Sequence, residues 1–204
     1  MRAVILAGGS MYDYSYIKQF LSPDDLVIAA DSGYHHAEAL GLRPHLLAGD
    51  FDSLHTLPRD IETHRVPVAK DFTDTELAIE LARTRGCTRF LLLGALGTRM
   101  DHTLTNILLL TRLLEAGEQA EIIDEHNHIR VTDTTLALDL TPGDILSLIP
   151  LTDCHGVTTE HLAYPLKDAA LAVGYGLGVS NIVEASPVRV TLSSGRLLVM
   201  VCRD

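Results

Sequence analysis

Two hydrophobic rhythms divide the chain near residue 126. Before that point, short apolar runs alternate with longer stretches whose apolar positions recur every three or four residues. The runs at 4–7, 26–30, 45–48, 65–68, 90–93 and 120–124 read as strands. Residues 11–21, 34–40, 73–85 and 101–115 read as helices, the last three closed by Gly41, Gly86 and Gly117. Strands alternating with helices predict an α/β fold: a doubly wound, mostly parallel sheet with helices on both faces. After residue 126 the pattern becomes six short segments, at 129–133, 135–140, 144–150, 156–162, 188–193 and 196–201, rich in Val, Thr and Leu. Turn sequences such as Thr141-Pro142-Gly143-Asp144 and Ser193-Ser194-Gly195 separate them. The expectation is a smaller C-terminal all-β sandwich or barrel, giving domains 1–125 and 126–204.

Four acidic segments stand beside these runs: Ala30-Asp31-Ser32-Gly33, Gly49-Asp50-Phe51-Asp52-Ser53, Lys70-Asp71-Phe72-Thr73-Asp74 and Gly97-Thr98-Arg99-Met100-Asp101-His102. In an open parallel sheet, strand ends gather along one edge, where ligands bind. Carboxylates collected there repel one another unless a cation holds them, which points to Mg²⁺ and a polyphosphate. Asp50 and Asp52 are two apart, so in extended chain both face one cation while Phe51 turns inward; the alternative is a solvated turn. Thr73 and Glu76 have capping-box spacing, so Thr73 is an N-cap or a ligand contact, and Asp74 a first-turn acid or a metal ligand. Lys70 meets a phosphate or is a plain surface charge. Residues 93–102 read as a strand, a glycine loop and a helix start, whose backbone N–H groups suit a phosphate, with Arg99 as an added cation. Asp101 there is an N-cap or a ligand-facing group, Asn106 faces the site or a neighbouring helix, and Asp31 holds its loop or the ligand. Neither the P-loop pattern nor G-x-G-x-x-G occurs.

Composition narrows the partners. A hydrophobic fraction of 47% supports a substantial core. A formal net charge of −11 and no basic stripe argue against sequence-independent nucleic-acid binding. No apolar run reaches membrane-span length, and the N-terminal residues lack a signal-peptide layout. Three cysteines without metal spacing fit a reducing, cytoplasmic setting. The ten histidines form no recognisable ligand set, and only His102 stands out by position.

As an ordered set, these blocks resemble the thiamine pyrophosphokinase (thiamine diphosphokinase) family, chiefly its bacterial members. The resemblance also draws on Gly41-Leu42-Arg43-Pro44, Thr75-Glu76, Leu93-Gly94-Ala95-Leu96, Asn106 and Gly178-Val179-Ser180-Asn181, and so covers almost the whole chain. It implies Mg²⁺-dependent transfer of pyrophosphate from ATP to the hydroxyl of thiamine, giving thiamine diphosphate and AMP. It further implies an N-terminal domain for ATP and Mg²⁺, a C-terminal domain helping to bind thiamine, and a homodimer with its active site at the subunit interface. By the same resemblance, Asp50, Asp52 and Asp74 ligate the metal, with Asp71 close by. Arg99, Asp101 and the loop containing Gly94, Gly97 and Thr98 face the nucleotide, together with Asp31, Lys70, Thr73 and Asn106. Ser180, Asn181 and Asp71 lie near thiamine. Asp52, Asp71, Asp74 and Arg99 then carry catalysis, with Asp71 or Asp52 as proton acceptor. The chain has no Trp, so stacking on thiamine falls to Tyr or Phe, Tyr175 being one candidate, or is absent.

Three other readings compete: a pyrophosphokinase for a pterin or another alcohol, a metal-dependent phosphohydrolase, and a non-catalytic nucleotide or vitamin sensor. The 178–181 block favours thiamine, the shortage of histidine ligands disfavours the hydrolase, and the retained acids disfavour the sensor.

Overall fold

Strands β1 (Arg2–Leu6), β2 (Leu26–Ala30), β3 (Leu46–Gly49), β4 (Glu62–Arg65), β5 (Arg89–Leu93) and β6 (Gln119–Ile123) build the sheet of the N-terminal unit. They belong to a computed structural model that describes residues 1–51, 58, 60–65 and 71–203. The chain divides into two compact units, Met1–Glu125 and His126–Asp204. In the first unit the strand order is β6-β5-β1-β2-β3-β4, and every pair is parallel. A parallel sheet covered on both faces is apolar at every position rather than at alternate ones. Accordingly Ala3, Val4, Ile5 and Leu6 of β1 are all fully buried, as are Leu91, Leu92 and Leu93 of β5.

The helices α1 (Tyr14–Lys18), α2 (Tyr34–Leu40), α3 (Asp74–Thr84) and α4 (Met100–Glu115) complete this unit. On one face Val4, Leu6, Val27, Ala29, Leu91 and Leu93 pack with Ile17 of α1 and with Ala37 and Leu40 of α2. Helix α3 lies against β1, β2 and β3, and α4 against β6. The two are joined by Arg112, whose guanidinium donates to Glu76 at 2.8 Å and to Glu80 at 3.1 Å. From β1 the chain winds outward to β4 and then returns to the other side of β1 for β5. The reversal leaves a crevice at the carboxyl ends of β1 and β5, the usual ligand position in such a sheet.

Two elements of this unit differ from expectation. The helix expected over 11–21 shortens to Tyr14–Lys18. Its start is set by Asp13, whose carboxylate accepts from the Tyr16 N–H at 3.0 Å, while Ser10 N–H is already bonded to the Leu96 carbonyl. The strand expected over 65–68 is instead Glu62–Arg65, with residues 66–68 outside the described residues. As the terminal strand of the order given, β4 is mostly exposed and polar, so the apolar-run signal misplaced it.

The C-terminal unit is all β. Strands β7 (Asn127–Thr132), β8 (Thr135–Leu138), β9 (Ile145–Pro150), β10 (Cys154–Glu160), β11 (Ala169–Leu171), β12 (Asn181–Ile182), β13 (Val188–Thr191) and β14 (Leu197–Cys202) form the orders β12-β9-β14-β7 and β11-β10-β13-β8. All pairings recorded within these orders are antiparallel. Leu146, Leu148, Leu197 and Val199 from the first share one core with Val157, Leu171, Val188 and Val190 from the second, which is sandwich packing. The short β11 and β12 carry too few residues to display a period, and sequence reading passed over them. Among the described residues, no helix is long and apolar enough to cross a membrane. Cys87 and Cys154 are buried, and neither is in a disulfide.

Candidate functional site

At the crevice lies a cleft of about 630 Å³. Residues 7–10 follow β1, Asp31 and Ser32 follow β2, and residues 94–99 follow β5; all of them line it. The start of α3 contributes Phe72, Thr73, Asp74 and Thr75, and α4 contributes His102, Thr103 and Asn106.

Two backbones form the walls by extending the β1–β5 pairing past the sheet. Ala7 N–H donates to Leu93 O at 2.8 Å, Gly9 N–H to Gly94 O at 2.6 Å and Ser10 N–H to Leu96 O at 2.7 Å. A side chain at residue 9 would collide with the Leu96 carbonyl, so this close approach requires glycine. Helix α4 fixes the second wall. Thr103 exchanges hydrogen bonds with the Gly97 backbone, accepting from N–H at 3.0 Å and donating to O at 3.2 Å. The buried Asn106 donates its amide N–H to Ala95 O at 2.7 Å. Between the two alternatives for Asn106, its carboxamide serves the loop while its side chain borders the cleft.

The acidic side is built around the end of β3. A Cβ placed on Gly49 would lie 3.1 Å from Asp74 Oδ1 and 3.3 Å from the Cβ of Asp31, so the two acids flank this strand end. Gly49 itself has φ +146°, a glycine conformation. Asp31 (φ +46°) and Phe51 (φ +62°) also adopt the left-handed region, and for a bulky residue such as Phe that costs on the order of 1–3 kcal/mol. Burial of the Phe51 ring in the core offsets it. Phe51 does turn inward, but β3 ends at Gly49, so alternation along an extended strand does not orient Asp50 and Asp52. Asp52 and Lys70 lie outside the described residues.

Among the described residues, no three Asp, Glu, His or Cys side chains converge to hold a metal unaided. Mg²⁺ commonly takes one or two carboxylates and fills its shell with phosphate oxygens and water. The Asp31–Gly49–Asp74 cradle fits that kind of binding, and Asp74 heads α3, where the helix dipole favours negative charge.

Thr73 is the N-cap of α3: its hydroxyl accepts from Glu76 N–H at 3.2 Å while the Glu76 carboxylate accepts from Thr73 N–H at 2.9 Å. It therefore has the capping role and also borders the cleft. Asp71, two residues earlier, is exposed and does not line the cleft. Arg99 does line it, and donates to Asp101 Oδ2 at 2.6 Å and to Oδ1 at 3.3 Å. Asp101, which also accepts the His102 N–H at 3.0 Å, is not among the lining residues. The Arg99 guanidinium first, and then the His102 N–H, pull the Asp101 carboxyl down to about 2. Gly94, Gly97 and Thr98 line the cleft.

Ser180 and Asn181 belong to the C-terminal unit. The Asn181 side chain is committed to backbone: Oδ1 accepts from Tyr164 N–H at 3.0 Å and Ile182 N–H at 2.9 Å, and Nδ2 donates to Tyr164 O at 2.7 Å. Ser180 takes φ +58° and donates its N–H to Ser147 Oγ at 3.0 Å. Sequence reasoning missed Gly8, Gly9, Ser10, Ser32, Phe72 and Thr103 as cleft residues. The paired glycines directly after the first apolar run were the available signal.

Comparison with known proteins agrees with this architecture. Residues 17–124 match the family profile described as thiamin pyrophosphokinase, catalytic domain, and residues 128–197 match its vitamin B1 binding domain. The chain is 28% identical to a thiamine pyrophosphokinase of Bacillus subtilis (strain 168), over 98% of each sequence. Its fold is similar to the crystal structure of thiamine pyrophosphokinase from Bacillus subtilis, with TM-score 0.90, 26% identity and 100% of both chains covered. The thiamin pyrophosphokinase structure from Geobacillus thermodenitrificans gives TM-score 0.86 at 27% identity, covering 100% of this chain and 98% of that one.

Two outcomes follow from the site geometry. Replacing Thr73 by Ala removes the cap hydroxyl and lowers stability by about 1 kcal/mol, and Thr73→Ser restores it, measured by urea unfolding. The Asp101 carboxyl titrates near its depressed value of about 2, and in Arg99→Gln it moves back up, followed by carboxyl NMR. Because its folded pKa is lowered, any stability it contributes is present above the ordinary aspartate range and lost as pH falls towards 2.

Proposed function

The chain belongs to the thiamin pyrophosphokinase family, and from that premise we propose that it transfers a pyrophosphoryl group from ATP to thiamine. The observation that carries this reading is the cleft itself. It sits at the topological switch point, has two glycine-bearing backbone walls on one side, and has the Asp31–Gly49–Asp74 cradle on the other. Backbone N–H groups at a loop and helix start accommodate phosphates, and acids opposite them call for a divalent cation between the two.

In this reading the thiamine hydroxyl oxygen attacks the β-phosphorus of ATP. The bond from that phosphorus to the α,β-bridging oxygen breaks, and AMP leaves with the bridging oxygen. The hydroxyl proton passes to a carboxylate, Asp71 or Asp52. Asp50, Asp52 and Asp74 would hold Mg²⁺, which would supply charge neutralisation for the phosphates. Arg99 balances charge on the departing AMP from its place on the cleft wall, competing there with its Asp101 partner. The loop of Gly94, Gly97 and Thr98, with Thr73 and Asn106, shapes the nucleotide position. Lys70 would contribute a further cation to the phosphates.

Thiamine contacts are assigned to Asp71 and, separately, to the Ser180–Asn181 turn of the C-terminal unit, as the family resemblance implies. There the committed carboxamide of Asn181 fixes the turn rather than binding through its own polar atoms. A homodimer is supported by Val173, Tyr175, Leu177, Val179 and Ile182, which one copy leaves exposed along a single segment. The buried thiols of Cys87 and Cys154 fit a cytoplasmic setting.

Incubating the protein with thiamine, ATP and Mg²⁺ is expected to yield thiamine diphosphate and AMP in equal amounts, read by chromatography. ADP with thiamine monophosphate would overturn the reaction type, and phosphate release from ATP without thiamine would favour a hydrolase. Asp74→Asn is expected to lower kcat by about a hundredfold or more while leaving the unfolding midpoint close to that of the parent.

A further inference from the structure

His36, on α2, touches both walls of the cleft from behind. Its Nε2 stands 2.9 Å from Gly9 O, and its Nδ1 stands 2.9 Å from the hydroxyl of Tyr14 on α1. A carbonyl oxygen only accepts, so the Gly9 contact requires a proton on Nε2. In the neutral ring Nδ1 is then an acceptor, and the Tyr14 hydroxyl donates to it. The far wall is in contact as well. A Cβ on Gly94 would lie 2.9 Å from His36 Cδ2 and 3.1 Å from Nε2, so the ring edge rests against that glycine.

Residue 9 is therefore held through both of the peptide groups that flank it. Its N–H is bonded to Gly94 O, while its carbonyl is bonded to His36. Loops are mobile unless their backbone groups find partners, and a glycine pair carries the largest conformational entropy. Without His36 the 8–10 wall keeps its bonds to Gly94 and Leu96 but loses the strut that sets its angle.

We propose that His36 is a positioning residue for the nucleotide: fixed in its Nε2–H form by Tyr14, it braces the Gly8–Ser10 wall against the Gly94–Gly97 wall, so that the cleft keeps the width a nucleoside triphosphate needs. This rests on the reading of the cleft as an ATP site. The contribution belongs to binding rather than to the chemical step, because His36 reaches backbone and not the reacting atoms.

The test compares the full chain with His36→Ala, His36→Gln and Tyr14→Phe. Gln presents an N–H donor at about the reach of Nε2 and lacks the ring. His36→Ala is expected to raise KM for ATP about tenfold, with kcat at saturating ATP and KM for thiamine both within about twofold. His36→Gln recovers most of that loss, and Tyr14→Phe shows a smaller rise of the same kind. Amide hydrogen exchange gives a readout independent of turnover. Exchange at Gly9 and Ser10 quickens in His36→Ala and slows again in His36→Gln.

Unchanged ATP KM with unchanged exchange in His36→Ala would overturn the proposal. So would a uniform loss of kcat and of both affinities that Gln does not repair, since that indicates general damage to the fold. If the parent protein used no ATP at all, the proposed function would fall instead. The exchange comparison alone would then decide whether His36 braces the wall.

Discussion

Past the carboxyl ends of β1 and β5 the two chains go on exchanging hydrogen bonds, from Ala7 to Leu93, Gly9 to Gly94 and Ser10 to Leu96. This extension is what turns a strand edge into a walled cleft. It depends on backbones approaching more closely than a Cβ at residue 9 permits. It also depends on the strand order, because only where the winding reverses do the connections after neighbouring strands leave the sheet in opposite directions. The helices then act as clamps, Thr103 and Asn106 of α4 on one wall and His36 of α2 on the other.

Across from these walls the structure collects negative charge at the mouth of β3, where Gly49 lets Asp31 and Asp74 come close to the same point. In a chain of net charge −11 that is an unfavourable arrangement by itself. Under the proposed function, a cation together with an anionic phosphate chain would make it favourable, since each relieves the other's charge. The left-handed backbone of Phe51 is of a piece with this: a costly local geometry retained beside the acids and stabilised by burying the ring. The Arg99–Asp101 pair is different in kind, being exposed, and so contributes little to stability while holding a guanidinium at the cleft.

Much of the architecture was legible because its signals are local. The fully apolar strands β1 and β5, the glycine closing α2, and the capping box of α3 all follow from residues close together in sequence. What escaped depends on distant partners. β4 is polar because it ends the strand order, so no apolar run marks its true position. The glycine pair after β1 became a cleft wall only through Gly94 and Leu96, more than eighty residues away in the sequence. The resemblance implies ligand contacts for Asn106 and Asn181, yet their carboxamides are bonded to backbone, a commitment no spacing rule reveals. His36 was one of ten histidines without a pattern, and its place behind both walls comes entirely from the fold.

The proposed function requires that a nucleotide lie in the strand-edge cleft of the N-terminal unit, between the glycine walls and the Asp31–Asp74 cradle. A crystal structure with Mg²⁺ and α,β-methylene ATP, which resists cleavage at the bond in question, tests it most directly. The account predicts phosphate density between residues 8–10 and 94–99, with a metal ion on the side of Asp74. Nucleotide density elsewhere, with this cleft holding only water, would contradict it.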